Sequence, residues 1–275
     1  MHHLDAKHYG LGLANAHDDT ERRLAATEDL FDPMTFRLLD ELELPAGSRC
    51  LEVGAGSGSV GRFLADQVEG STVVVTDIDT VHLHHLHEPD NVEIREHDIR
   101  TDSLEEGHYD LVHARLLLEH FPDRIAVLDK LVAALRPGGW LMIEDVDMTN
   151  MAYLDHHRLF FEPHHTGDAC RAIALAAVLH GNDLGLDYCF GRELPRHLRN
   201  AGLVDIDAEA ASRLVTGGSS HAVYYELLLP VLRAALKDHP EVQDSDFDDW
   251  ETALQSPDTM FQGLTMVSAW GRRPA

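Results

Sequence analysis

The chain has 275 residues, enough for one α/β domain with insertions, and its 48 acidic against 22 basic residues leave a formal net charge of −26 with histidine neutral. A surface of that sign repels phosphate backbones and anionic lipid faces, so neither nucleic acid nor membrane is expected as a standing partner. Cys50, Cys170 and Cys189 are odd in number and widely spaced, which suits a reducing cytoplasm better than a disulfide framework. The opening MHHLDAKHYG lacks the basic patch and apolar core of an export signal, and no run nears the ~20 apolar residues a membrane helix needs.

Apolar positions at helical spacing run through residues 18–44 and include Leu24, Leu30, Phe31, Met34, Leu38, Leu39 and Leu42. Asp32-Pro33 is placed to end one helix and begin another, so two helices are expected before the sheet, within an N-terminal helical lid over 1–45. From Arg49 the pattern changes. RCLEV (49–53), STVVVT (71–76), NVEIR (91–95), YDLVH (109–113) and GWLMIE (139–144) read as short strands, separated by helical segments such as 59–67 and 123–135. That alternation predicts parallel strands joined by crossover helices. Arg136-Pro137-Gly138-Gly139 reads as a helix stop and a sharp reversal into the next strand.

Residues 146–187 break the rhythm with DHHRLFFEPHH (155–165) and a helix through 168–180, a length that suits a cap over a site. The rhythm returns with helix 191–201 and strand 203–210. A helix from His221 to Lys237, an acidic stretch at 244–251 read as a solvated helix face or loop, and a last strand at 263–271 complete the chain. The expected main domain is 46–275, with cap insertions at about 146–190 and 212–262.

The most informative run is Leu51-Glu52-Val53-Gly54-Ala55-Gly56-Ser57-Gly58-Ser59-Val60-Gly61, an apolar strand turning through glycines into a helix. There the chain bends tightly and lets a ligand approach bare backbone. Glu52 stands two positions before the first glycine. Asp77 ends the second strand, where a carboxylate can accept hydrogen bonds from both hydroxyls of a ribose. Asp98 follows the third strand, placed to meet an adenine amino group, with Ile99 beside it as an apolar wall.

EVGAGSGS, TDID, Asp98-Ile99, YDLVHARLLLEHFPD (109–123) and LRPGGWLMIED (135–145) come in an order that resembles the class I S-adenosylmethionine-dependent methyltransferases. GRELPRHLRNAGL (191–203) and GLTMVSAWGRR look like that family's penultimate helix and last strand. Tyr9, Asn15 and Arg23, with FDPMTFR (31–37), resemble a lid of its bacterial small-molecule, UbiE-like subgroup. The resemblance implies a Rossmann-like α/β fold: a seven-stranded, mostly parallel sheet with an antiparallel last strand, helices on both faces and a helical cap. It also implies S-adenosylmethionine as cofactor, a small-molecule acceptor methylated on oxygen, nitrogen or carbon, and S-adenosylhomocysteine as product.

Residue by residue, the family's pattern implies that Glu52 orients the methionine amino group while Gly54, Ala55, Gly56 and Gly58 let the cofactor lie against backbone. Asp77 would hold the ribose, Ile78 pack on adenine, and Asp98 with Ile99 complete the purine pocket. His113, Ala114 and Arg115 would flank the methionine tail, and Tyr9 and Arg23 would reach the cofactor from the lid. For proton transfer from the acceptor, His120 is the first candidate and Asp145 the second; each also has an ordinary reading as a capping or packing residue.

Histidines cluster at His82, His84, His85 and His87 and at His156, His157, His164 and His165, but their spacing gives no clean three-ligand face, so no metal is expected. Tyr224, Tyr225, Phe160, Phe161 and Tyr188 suit core packing or an apolar acceptor pocket. A nicotinamide-dependent oxidoreductase shares such a sheet, but its fingerprint wants Gly-x-Gly-x-x-Gly, whereas Gly54, Gly56 and Gly58 give Gly-x-Gly-x-Gly. A non-catalytic cofactor-binding module is the other alternative, and a homodimer is left open.

Overall fold

Alternation within the strands sorts their side chains onto two faces, and the helices follow. In the computed structural model, which describes residues 17–87, 90–153 and 164–275, strands β1 (Arg49–Val53), β2 (Thr72–Asp77), β3 (Val92–Glu96), β4 (Tyr109–Arg115) and β5 (Leu135–Asp147) pair in parallel. β6 (Val204–Thr216) and β7 (Met260–Arg272) complete one seven-stranded sheet of order β3-β2-β1-β4-β5-β7-β6, with β7 antiparallel to both neighbours. β6 therefore runs with the first five strands, and the expected Rossmann-like α/β architecture is present. Chain order reverses between β1 and β4, which opens a crevice beyond their C-terminal ends.

Cys50, Val73, Val75, Leu111 and Met142 point to one face, under α1 (His17–Glu41) and α2 (Ser59–Gln67). Leu51, Val74, Val112 and Ile143 point to the other, under α3 (Arg124–Ala134) and α6 (Leu194–Asn200). A third apolar cluster stands over the C-terminal end of the sheet. It joins α4 (Thr149–Tyr153), α5 (His164–Asp183), α7 (Ala222–Leu236) and α8 (Asp244–Gln255) through Ile173, Ala177, Tyr225, Phe247, Trp250 and Phe261.

Two local expectations change. Residues 17–41 form one helix with Pro33 inside it, not two. A mid-helix proline forfeits a hydrogen bond, but Leu30 and Phe31 before it and Leu38 and Leu39 after it are all buried, and that packing keeps the segment continuous. The Arg136-Pro137-Gly138-Gly139 run is not a separate reversal. α3 ends at Ala134 and β5 starts at Leu135, and the run is held as strand because Gly138 N–H donates to Arg273 O and Arg273 N–H to Gly139 O. The acidic stretch is a solvated helix face, the first of the two readings: it lies in α8, capped by Gln243 and Asp246, with Phe247 and Trp250 buried on its inner side. Tyr9 and Asn15, like His156, His157, Phe160 and Phe161, lie outside the described residues.

Candidate functional site

The β1–α2 turn is built from left-handed residues: Gly54, Gly56 and Gly58 have φ of +72°, +60° and +85°. A side chain at Gly54 would place its Cβ 2.8 Å from Leu117 Cδ1, across the crevice. The turn is tied to β2, since Gly54 and Ala55 N–H both donate to Thr76 O and Gly56 N–H donates to Asp77 Oδ2 at 2.9 Å. Asp77 Oδ1 accepts from Asp79 N–H at 3.0 Å. Burial is the main cause that raises the Asp77 carboxyl above its ordinary range, offset by these backbone donors.

A cavity of about 310 Å³ runs along this edge, in the range of small-molecule sites. One end is lined by Asp77, Ile78, His97, Asp98 and Ile99, the middle by Glu52 and backbone from Gly54 to Gly56, and the far end by an apolar lobe. Both ring nitrogens of His97 are buried there without a partner among the described residues. Acceptors for a nucleoside's hydroxyl and amino groups, an apolar wall and a glycine floor that a Cβ would fill thus occur together. The residues present fit S-adenosylmethionine.

Behind the middle of the cavity the sheet turns polar. His113 lies wholly buried on β4, with Nδ1 2.7 Å from Glu52 Oε2 and Nε2 3.0 Å from Glu144 Oε2. Glu144 also accepts from Ser268 Oγ and, at 2.7 Å, from Thr35 Oγ1 on α1. Arg115 donates to Thr35 Oγ1 and pairs with Asp32 on the same helix at 2.7 Å. Burial alone would lower the His113 pKa, but the charge of Glu52 and the hydrogen bonds that His113 donates to Glu144 and Glu52 win and hold it near 9. Glu144 moves the opposite way: burial resists, and the bond and charge of His113 bring its carboxyl below the usual range.

At the far end, Glu119 and His120 follow β4 and line the lobe beside Tyr188, Tyr224 and Leu228. Glu119 Oε2 accepts from Val146 N–H at 2.9 Å and Oε1 lies 3.5 Å from His120 Nε2. Asp145 sits inside β5 and its Oδ1 accepts from Leu117 N–H at 3.0 Å. Burial, then the nearby charge of Asp145, raises Glu119 well above the carboxylate range; burial lifts Asp145 to about 8. Burial, helped by Arg23, lowers His120 to about 4, so its ring is neutral near pH 7.

Residues 22–187, more than half the chain, match the family model described as a methyltransferase domain. The chain belongs to the class I S-adenosylmethionine-dependent methyltransferases. Methyltransferase str2 of Strobilurus tenacellus is 32% identical over 110 residues, 40% of this chain and 39% of that protein, so the chain spans about two-fifths of this relative's length. A ubiquinone biosynthesis O-methyltransferase of Azotobacter vinelandii is 26% identical over 199 residues, 64% of this chain and 82% of that one. In fold the chain is similar to YcgJ of Bacillus subtilis, with a TM-score of 0.58 at 14% identity over 88% of this chain and 99% of that one. It is also similar in fold to the [4+2]-cyclase SpnF, with a TM-score of 0.52 at 17% identity over 87% of this chain and 81% of that one.

Within the methyltransferase, Arg23, Glu52, Gly54, Ala55, Gly56, Asp77, Ile78, Asp98, Ile99, Arg115 and His120 line one cavity. Three residues expected beside them do not. His113 is enclosed between two carboxylates, Ala114 is fully buried in the sheet, and Gly58 faces Leu83 and Leu86 of the 3-10 turn Thr80–His87. Asp145 is also off the cavity, buried behind Glu119 within β5, not past the strand's end. Arg115 reaches the cavity while already paired with Asp32. Among the described residues no group of His, Cys, Asp and Glu could hold a metal ion, and no helix is long and apolar enough to cross a membrane. Glu119 and His97 were missed from sequence; a polar residue directly beside a motif histidine, or just before Asp98, was the available signal.

Proposed function

We propose that this methyltransferase moves a methyl group from S-adenosylmethionine to a small-molecule acceptor held in the apolar lobe. The observation that carries the reading is the continuity of the cavity, from the acids at the tips of β2 and β3 to the lobe under α5 and α7. Asp77 and Asp98 hold the nucleoside, with Ile78 and Ile99 against its base. Glu52 takes the amino group of the methionine end, and Arg23, on a lid helix α1, takes its carboxylate. When bound, S-adenosylmethionine supplies a methyl group on a positively charged sulfur, which keeps the bonding pair as the methyl leaves.

The protein's own part is placement and exclusion of water. α1, α5 and α7 close over the sheet edge, and their apolar side chains leave the acceptor few hydration partners. His120, neutral and lining the lobe, accepts a proton from a hydroxyl or amine acceptor, with Glu119 beside it. Asp145 is a positioning residue, because its Oδ1 fixes the Leu117 backbone ahead of both.

Calorimetric titration tests this against the oxidoreductase alternative. S-adenosylhomocysteine should bind and NAD should give no heat. Tritium from methyl-labelled S-adenosylmethionine should then pass to organic-extractable product with a panel of hydroxyl and amine acceptors. A folded protein silent toward both S-adenosylmethionine and S-adenosylhomocysteine overturns the proposal.

A further inference from the structure

The Glu52 side chain is held from one side only. Its backbone is fixed in β1, where Glu52 O accepts from Thr76 Oγ1 at 3.0 Å, but a long side chain keeps its rotamer freedom unless something binds its end. Among the described residues that partner is His113, whose Nδ1 donates to Oε2 at 2.7 Å. Oε1 accepts no hydrogen bond from any described residue, and Glu52 lines the middle of the cavity. One oxygen is therefore fixed and the other is left for a ligand.

The second carboxylate on the ring is fully used. Glu144 Oε1 accepts from Ser268 Oγ, and Oε2 accepts from His113 Nε2 and Thr35 Oγ1. Glu144 is wholly buried and does not line the cavity. Its bonds to β7 and α1 thus orient the imidazole, and the imidazole orients Glu52. The charges serve the same end. Two carboxylates against one imidazolium, whose pKa is held near 9, leave one negative charge in the buried sheet, and the Asp32–Arg115 pair nearby adds none. An ammonium group arriving at Oε1 would balance that charge.

We infer, on the methyl-transfer reading above, that His113 is a positioning residue for the cofactor: by fixing one oxygen of Glu52 it presents the other to the methionine amino group. Without the ring, the Glu52 side chain has to be ordered as the cofactor arrives, and its carboxylate is no longer aimed at the cavity. Both costs fall on the amino-acid end of the cofactor. The nucleoside end, assigned to Asp77 and Asp98 at the tips of other strands, is spared.

The test compares two ligands by calorimetry: S-adenosylhomocysteine, and 5′-methylthioadenosine, which keeps the nucleoside and sulfur but lacks the amino-acid end. In His113→Leu, S-adenosylhomocysteine should bind at least about tenfold more weakly than to wild type, and 5′-methylthioadenosine within about threefold, which also shows that the variant is folded. If that variant does not fold, His113→Leu combined with Glu144→Gln, which removes the ring together with one of the two carboxylates it joins, should give the same pair of results. Glu52→Gln should weaken S-adenosylhomocysteine alone, and adding His113→Leu to it should cost less than about threefold more, because the ring acts through Glu52. Unchanged or tighter S-adenosylhomocysteine binding in the histidine variants overturns the inference and makes the imidazolium a competitor for Glu52. Equal losses for the two ligands overturn it as well and leave His113 a structural residue. A further loss of about tenfold on top of Glu52→Gln overturns it too, since the ring would then act by another route. Failure of S-adenosylhomocysteine to bind wild type is a different result, and it removes the methyl-transfer reading itself.

Discussion

His113 stands between Glu52 and Glu144, its Nδ1 2.7 Å from one carboxylate and its Nε2 3.0 Å from the other. Each ring nitrogen therefore carries a proton that a carboxylate accepts. The strand register explains the meeting: His113 pairs across the ladder with Glu52 on β1 and Met142 on β5, and Glu144 is two residues further along β5 on the same face. Through Thr35 and Arg115 the charges continue to α1, so the helix over the cavity is docked on the network that holds Glu52 in place.

Stability should follow this ring. The His113 pKa rises from 6.5 unfolded to about 9 folded, so its contribution is complete below pH 6.5 and is lost as pH climbs to 9. A shift of that size corresponds to on the order of 3 kcal/mol. Urea unfolding across pH 6 to 10 should show wild type losing more stability over that window than His113→Gln, which has no titrating ring. Parallel curves would refute the assignment. His113→Phe, which strands two buried carboxylates, should cost about 3–5 kcal/mol at pH 7.

Asp77 is short of hydration, and a ligand's hydroxyls would restore donors to it. Asp77→Ala should lower S-adenosylhomocysteine affinity by at least about tenfold. Because bound hydroxyls favour the carboxylate form, wild-type affinity should weaken between pH 7.5 and pH 5, and Asp77→Asn should flatten that profile. Calorimetry at the two pH values decides it, and an unchanged affinity in Asp77→Ala would remove Asp77 from the site.

Gly58 combines a left-handed backbone with a crowded Cβ position: φ is +85°, and a methyl would meet Leu86 and, at 2.9 Å, Leu83 Cδ2. Gly58→Ala should cost about 2–4 kcal/mol, the sum of backbone strain and overpacking. Gly47 is the control. Its φ is +79° with nothing within 4 Å of a Cβ, so Gly47→Ala should cost only about 1–2 kcal/mol. Thermal melts of the two variants should differ in that order.

Apolar alternation in RCLEV, TVVVTD and YDLVHAR made the parallel strands legible, and the acids at their ends marked the edge where the cavity lies. Sequence spacing placed Asp77 and Asp98 because each is set by its own strand's end. It could not place His113, whose surroundings depend on the register of β1 and β5 as well as β4, or show that Glu144 reaches it. Asp145 looked like a residue past the strand because the strand's length was read from its apolar run, whereas β5 continues to Asp147 under the pairing of β7. Pro33 read as a helix boundary because local propensity says so, and buried packing on both sides overrode it.

The Glu119–Asp145 pair yields the sharpest sign prediction. Asp145 titrates at 3.8 unfolded and about 8 folded, so the folded state holds a proton that the unfolded state has released. Its contribution to stability is present below pH 3.8 and is lost as pH rises to 8. Asp145→Asn keeps an oxygen to accept from Leu117 N–H and cannot ionise. The variant should therefore melt higher than wild type at pH 8, and its advantage should shrink or reverse at pH 5, where wild-type Asp145 is protonated. Glu119, relieved of a neighbouring charge, should ionise more readily in the same variant. Isotope-edited infrared spectra should show its protonated carboxyl band fading at lower pH than in wild type. A variant less stable than wild type by the same amount at both pH values would mean that the two carboxyls serve only as backbone acceptors.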